Sequence, residues 1–131
     1  MLTHLSIRNI VLIEALDLEF SRGLGVLTGE TGAGKSILLD ALGLVLGDRA
    51  DSALVRAGAE KAAVTATFDF GSIPAAIAEA LGDADLELEP GEPLIVRRQL
   101  RADGGSKAFV NDQAAGVALL RAIGPALVEV H

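Results

Sequence analysis

Gly29-Glu30-Thr31-Gly32-Ala33-Gly34-Lys35-Ser36 is the stretch that most limits what this chain can become. It satisfies G-x-x-x-x-G-K-[ST] and lies between a short apolar strand ending at Thr28 and a helical run from Lys35 to Leu46, the strand–loop–helix context that gives the motif its meaning. Glycines let the backbone curl so that successive N–H groups point at phosphate oxygens, and the start of the following helix adds partial positive charge. Lys35 is placed to reach the β and γ phosphates as a point charge, and the Ser36 hydroxyl to ligate Mg²⁺. A chain of this length and composition matches the four fixed positions by accident about 1% of the time. A plain glycine turn before a core helix, which needs no lysine, is therefore the weaker reading.

The rest of the chain supplies alternating strands and helices. Leu2 to Arg8 and Glu14 to Phe20 have the period of paired, half-buried strands, the second alternating Leu16, Leu18 and Phe20 with Asp17 and Glu19. The helix from Lys35 carries apolar side chains nearly all round, so it is expected to be buried on most sides, with Gly47 as its stop. Val64 to Phe70 is predicted as a strand, and Ser72 to Leu81 as a helix capped by Ser72 and stopped by Gly82. Leu94 to Arg101 and Ser106 to Asn111 flank Asp103-Gly104 as a hairpin with Val96, Leu100, Phe109 and Val110 as its packing face. A helix from Ala115 to Ile123 and a strand from Ala126 to Val130 complete the pattern. The expected fold class is α/β, a P-loop NTPase core with a mixed sheet and antiparallel hairpins, in one domain over residues 1–131.

Composition narrows the chemistry. The chain has no cysteine and two histidines, His4 and His131, so thiolate or histidine-cluster metal sites are excluded and any metal is held by oxygen. No apolar run reaches the roughly 20 residues of a membrane span and the N-terminus lacks the pattern of a signal peptide, which makes a cytoplasmic protein without a membrane partner the expectation. A net charge of −7 gives no general attraction to nucleic acid. That charge is uneven: residues 79 to 92 hold six acids and no base, whereas 97 to 107 hold Arg97, Arg98, Arg101 and Lys107 against Asp103 alone.

A phosphate cradle does not by itself say which nucleotide is bound. The Asn-Lys-x-Asp motif of GTPases is absent, and where transporter-type ATPases stack adenine on an aromatic this chain has Arg8-Asn9. With that feature, the blocks LSIRNIVLIEALDLEF, LTGETGAGKSILLDALGLVLGDRA, VRAGAEKAAVTATFDF, IVRRQL…GGSKAFVND and LVEVH resemble, in order, the N-terminal head segment of the SMC-like branch of the ABC ATPases, and within it the RecN-type bacterial DNA-repair proteins. The resemblance implies an ATP-binding head whose two halves lie at opposite ends of a long polypeptide joined by a coiled coil, acting in recombinational repair of double-strand breaks. It implies as partners the C-terminal half of the same head, a second head in an ATP-dependent dimer, and DNA, with nucleoid association when acting on it. It also implies that Arg56 reaches toward the phosphates, where an ordinary surface arginine is the competing reading, and that Arg8 and Asn9 lie near the base or ribose, where a solvated strand end is the competing reading.

In such heads the strand at LVEVH runs on into a Gly-Gln loop, a signature motif and paired acids, and the sequence carries none of these before His131. The expectation is a half-site that binds ATP without hydrolysing it. A different class remains open: a small-molecule kinase of P-loop type using Glu129 or Asp69 as its acid and the 97 to 107 hairpin as its lid. The packing face of that hairpin suits a sheet better than a mobile lid.

Overall fold

The computed structural model describes residues 2–20, 32–89 and 91–129, with the backbone alone for Gly32 to Ser36 and Glu129. Among the described residues six strands form one sheet: β1 (Leu2–Ile10), β2 (Ile13–Glu19), β3 (Lys61–Phe68), β4 (Leu94–Arg101), β5 (Ser106–Val110) and β6 (Gln113–Ala115). Their order is β2-β1-β3-β4-β5-β6, and every pairing between described strands is antiparallel. The apolar strand expected to end at Thr28 lies outside the described residues. The described residues also form three α-helices: α1 (Gly32–Val45), α2 (Ala75–Asp83) and α3 (Val117–Glu129).

Period-two alternation decides the two faces of the sheet. Leu5 and Ile7 on β1, Val64 and Ala66 on β3, Val96 and Leu100 on β4, and Ala108 and Val110 on β5 are buried in one continuous core. The register aligns Ser6, Thr65, Arg97 and Phe109 across the opposite face, where the Arg97 guanidinium carbon lies 4.4 Å from the Phe109 ring centroid. Phe109 therefore belongs to the outer face, and Val96, Leu100 and Val110 carry the packing expected of the hairpin. Its turn is closed by Asp103-Gly104, with Gly104 at φ +104° and the Arg101 amide donating to the Gly105 carbonyl at 2.8 Å.

Helix α1 buries Leu38, Ala41, Leu42, Leu44 and Val45, while Leu39 is 48% exposed, so one side stays open to solvent. It ends in a Schellman motif: Gly47 sits at φ +103°, Asp48 N–H donates to Gly43 C=O at 3.0 Å and Gly47 N–H to Leu44 C=O at 3.3 Å.

Four sequence expectations are corrected by the geometry. Ser72 does not cap α2; Pro74 stands at that position, whose ring fixes the backbone for a helix start without a side-chain bond. Gly82 does not stop α2, which continues to Asp83 and ends in a second Schellman motif built on Asp85 at φ +58°, with Leu86 N–H donating to Leu81 C=O at 2.9 Å. Aspartate tolerates this left-handed conformation better than most side chains. Residues 126 to 129 are not a strand: α3 runs through Pro125 to Glu129. A proline inside a helix costs about 3 kcal/mol, and the burial of Leu120, Ile123 and Leu127 along one face of α3 offsets it. Ala115, where the helix was expected to begin, is instead the last residue of the short strand β6, and α3 begins at Val117.

Candidate functional site

The phosphate-loop residues Gly29, Glu30 and Thr31 lie outside the described residues, and for Gly32, Ala33, Gly34, Lys35 and Ser36 the backbone is described without the side chains. That backbone is the first part of α1, so the second half of the motif is helical. The first four amides of a helix have no intrahelical acceptor, and the aligned peptide dipoles place partial positive charge there. The first turn contains no acidic residue, so nothing in it cancels that charge.

The opposite end of α1 is held by two arginines from distant parts of the chain. Arg98, on β4, is 2% exposed and fills a place between Val64 and Ala108 on the inner face of the sheet. Its Nη1 donates to the Leu44 carbonyl at 2.9 Å and to the Asp48 carbonyl at 2.8 Å; its Nη2 reaches Ser106 Oγ at 3.4 Å. Burial lowers its pKa from the ordinary arginine value, with a further lowering from Arg121 and an opposing effect of Asp48. Arg121, on α3, donates to the Gly47 carbonyl at 3.3 Å. Cations at a helix C-terminus complement the dipole, and here they fix the helix that begins within the glycine motif. Sequence reasoning placed Arg98 in a basic hairpin; the alternation Leu94, Val96, Leu100 was the signal that residue 98 points inward.

Close approaches of backbone fix the same end. A Cβ at Gly124 would stand 2.9 Å from the Leu46 carbonyl oxygen, and one at Gly47 would stand 2.6 Å from Arg121 Cγ. These two glycines let α3 pack directly on the end of α1.

Asn9 and Arg56 are brought together. Asn9 adopts φ +55° and Val11 φ +51°, two left-handed non-glycine residues at the end of β1. Beyond Arg8↔Ala63, β1 leaves β3 and meets the segment around Val55 through an Ile10↔Val55 bridge. Arg56 N–H donates to Asn9 C=O and Val11 N–H to Leu54 C=O, each at 2.8 Å. The Asn9 amide donates to the Lys61 carbonyl at 3.3 Å, and Arg56 Nη1 to the Leu12 carbonyl at 3.0 Å.

Arg8 is engaged elsewhere. Its guanidinium meets Asp17 through two bonds of 3.0 and 3.1 Å, and Ser6 Oγ donates to the same carboxylate at 2.6 Å. The hydrogen bond from Arg8, then that from Ser6, holds the Asp17 pKa below its ordinary value, and the bond to Asp17 raises that of Arg8. The pair projects from the outer face, opposite the buried Leu5 and Ile7.

The residues of the kinase alternative are not assembled. Glu129 closes a helix rather than a strand. The 97 to 107 hairpin is paired to β3 on one side and β6 on the other, as part of the sheet rather than a lid. Among the described residues no group of three or more His, Cys, Asp or Glu is placed to hold a metal, and no helix is long and apolar enough to cross a membrane.

Comparison with known proteins agrees with this architecture. The chain is 44% identical over 131 residues to the DNA repair protein RecN of Vibrio cholerae and 41% identical over 134 residues to that of Bacillus subtilis. All of the chain is covered in both cases, but only 23% and 22% of the two relatives; it thus spans less than a quarter of their length. Among solved structures, an SMC ATPase from work on ATP-driven dimerization and DNA-stimulated activation superposes with a TM-score of 0.69 at 22% identity, over 97% of this chain and 79% of the other. The recombination mediator RecF with ATP matches with a TM-score of 0.58 at 19% identity, over 88% of this chain and 27% of that one. At these identities the two structures establish the fold. The AAA domain family model matches residues 4–114, and the chain belongs to that family.

Proposed function

We propose that this chain is the ATP-binding part of a RecN-type ATPase acting in recombinational repair of DNA double-strand breaks, the N-terminal portion of a head domain completed by other parts of a longer protein. The observation that carries the reading is the 44% identity to the Vibrio cholerae repair protein over an alignment that takes in the whole Gly29–Ser36 loop. The opening of α1 within the motif fits an anionic ligand, because helix dipole and Lys35 add their charge with no carboxylate in the first turn. ATP with Mg²⁺ supplies the phosphoanhydride bond that is broken. The residues of this chain bind and orient: backbone amides of 29–34 cradle the phosphates, Lys35 offsets the charge of the β and γ groups, and the Ser36 hydroxyl holds the cation. Arg56 acts on the γ-phosphoryl side, and Arg8 with Asn9 near base or ribose. Like the SMC ATPase it resembles, the completed head pairs with a second head under ATP and responds to DNA.

Titration calorimetry with Mg²⁺-ATP tests the reading. Lys35→Ala removes a charge-assisted contact worth about 1.5–3 kcal/mol, so affinity drops roughly ten- to a hundred-fold. Equal affinities for the two proteins overturn it.

A further inference from the structure

Far along the chain from the glycine loop, a cleft of about 440 Å³ opens between α2 and residues 86–89 and 91–92. Its apolar lining is Phe70, Ile73, Leu81, Leu86 and Leu88, and its mouth carries Glu89 and Glu92. The volume lies in the range of sites that enclose apolar groups.

Hydrogen bonds fix the two walls of the cleft. The Schellman motif turns the chain at Asp85 and delivers Leu86 beside Leu81. Gln113 of β6 then pins the far wall at both ends of its amide, accepting from Glu87 N–H at 3.3 Å and donating to Glu87 C=O at 2.8 Å. Glu92 closes the loop by accepting from Glu89 N–H at 3.2 Å. On the helical wall, Gly82 stands within α2, where glycine costs about 1 kcal/mol against alanine. A Cβ there would meet nothing within 4 Å, so neither clash nor backbone conformation requires glycine and the wall is left open.

Charge selects the occupant. Glu79, Asp83, Asp85, Glu87, Glu89 and Glu92 lie within residues 79 to 92 without a single base, and none of the six forms an ion pair among the described residues. An apolar cleft under an uncompensated acidic rim attracts a ligand that is apolar at its anchor and cationic around it, and repels an anionic polymer. We infer that this cleft docks a peptide segment of a partner protein that inserts a large apolar side chain between α2 and the wall carrying Leu86 and Leu88 and sets lysine or arginine against Glu89 and Glu92. None of the described residues that line the cleft belongs to the proposed nucleotide site.

Fluorescence anisotropy on the 131-residue chain tests the inference. Two labelled peptides share the same leucine and phenylalanine anchors, one flanked by lysine and arginine and the other by glutamate. The basic peptide is expected to bind at least about tenfold more tightly at low salt, with the gap narrowing as salt screens the rim. The double variant Glu89→Gln, Glu92→Gln brings the two affinities within about threefold. Gly82→Leu, which fills the cleft from an open helical position, weakens the basic peptide about tenfold, whereas Gly82→Ala leaves it nearly unchanged; circular dichroism checks that each variant keeps its fold. Equal binding of both peptides, binding of neither, or indifference to Gly82→Leu overturns the proposal. So does concentration-dependent self-association abolished by Gly82→Leu, which makes a second copy of the chain the occupant.

Discussion

The backbone N–H of Arg56 donates to the carbonyl of Asn9 at 2.8 Å, tying the end of β1 to a segment that follows α1. The bond depends on the backbone of Asn9 at φ +55°, which turns the chain away from β3 and toward Arg56. Asparagine enters this left-handed region readily, whereas other non-glycine residues lose about 1–2 kcal/mol there. Asn9→Ala, which also removes the bond to Lys61, is therefore expected to destabilise the chain by about 1–2 kcal/mol and Asn9→Gly by less. Urea unfolding midpoints of the three proteins decide it; an alanine variant as stable as the parent refutes the account of the turn.

Arg56 contributes its side chain separately, through one bond to the Leu12 carbonyl. Arg56→Ala keeps the backbone tie, so ATP affinity is expected to stay within about threefold. In a full-length RecN-type protein carrying this segment, kcat should fall tenfold or more, on the order expected when an interaction made in the transition state is lost. Unchanged turnover returns Arg56 to the role of a surface arginine.

Arg98 is the buried cation that closes α1, and its removal takes its hydrogen bond from the Asp48 carbonyl and leaves the Leu44 carbonyl with the Gly47 amide alone. Arg98→Leu is expected to lower stability by about 1.5–3 kcal/mol, the range for losing hydrogen bonds from a charged donor. Arg98→Lys recovers only part, because a single ammonium does not present the forked donors of a guanidinium. Denaturant unfolding of both variants measures this, and a leucine variant of parental stability excludes the capping role.

The features legible in the sequence were those written in local chemistry. The glycine motif, the pairing of β1 with β2, the Asp103-Gly104 hairpin and the Gly47 stop each depend on residues close together in the chain. Asp85 was hidden because the nearby Gly82 offered a more conventional helix end, and α3 because Pro125 usually breaks what the periodic Leu120, Ile123 and Leu127 continue. The Asn9–Arg56 contact and the capping of α1 by Arg98 and Arg121 join segments far apart in sequence. No local pattern encodes such contacts; only the fold of the sheet brings them together.

The Arg8–Asp17 pair predicts a pH dependence of definite sign. The Asp17 pKa is lowered in the folded chain, first by the Arg8 hydrogen bond and then by Ser6. A lowered carboxylate adds stability that is complete above the ordinary aspartate pKa and is lost as pH falls through the lowered native value. The stability difference between the parent and Arg8→Ala should therefore shrink on acidification. Carboxyl NMR titration should show Asp17 moving up toward the usual range in Arg8→Ala, and by less in Ser6→Ala; an unmoved Asp17 rules the pair out as the cause.

Hydrolysis is the sharpest test of the proposed half-site. On the proposed reading, the chain would bring to ATP a phosphate cradle, Lys35 and one Mg²⁺ ligand, Ser36. Phosphoryl transfer depends on positioning and charge stabilisation by several groups acting together, including one that orients the attacking water. The acid of the kinase alternative, Glu129, lies at the end of α3 rather than on a core strand, so nothing in the described fold recommends it for that task. The purified chain is accordingly expected to bind Mg²⁺-ATP yet show no hydrolysis above that of its Lys35→Ala variant. Co-expression with the remaining head segment of a RecN-type protein should restore turnover and ATP-dependent pairing. A phosphate-release assay decides between the two readings. Turnover by the chain alone at about 1 s⁻¹, within the range of ordinary enzymes, and abolished by Lys35→Ala, would mean that the catalytic set is complete here, with Glu129 and Asp69 the first residues to replace.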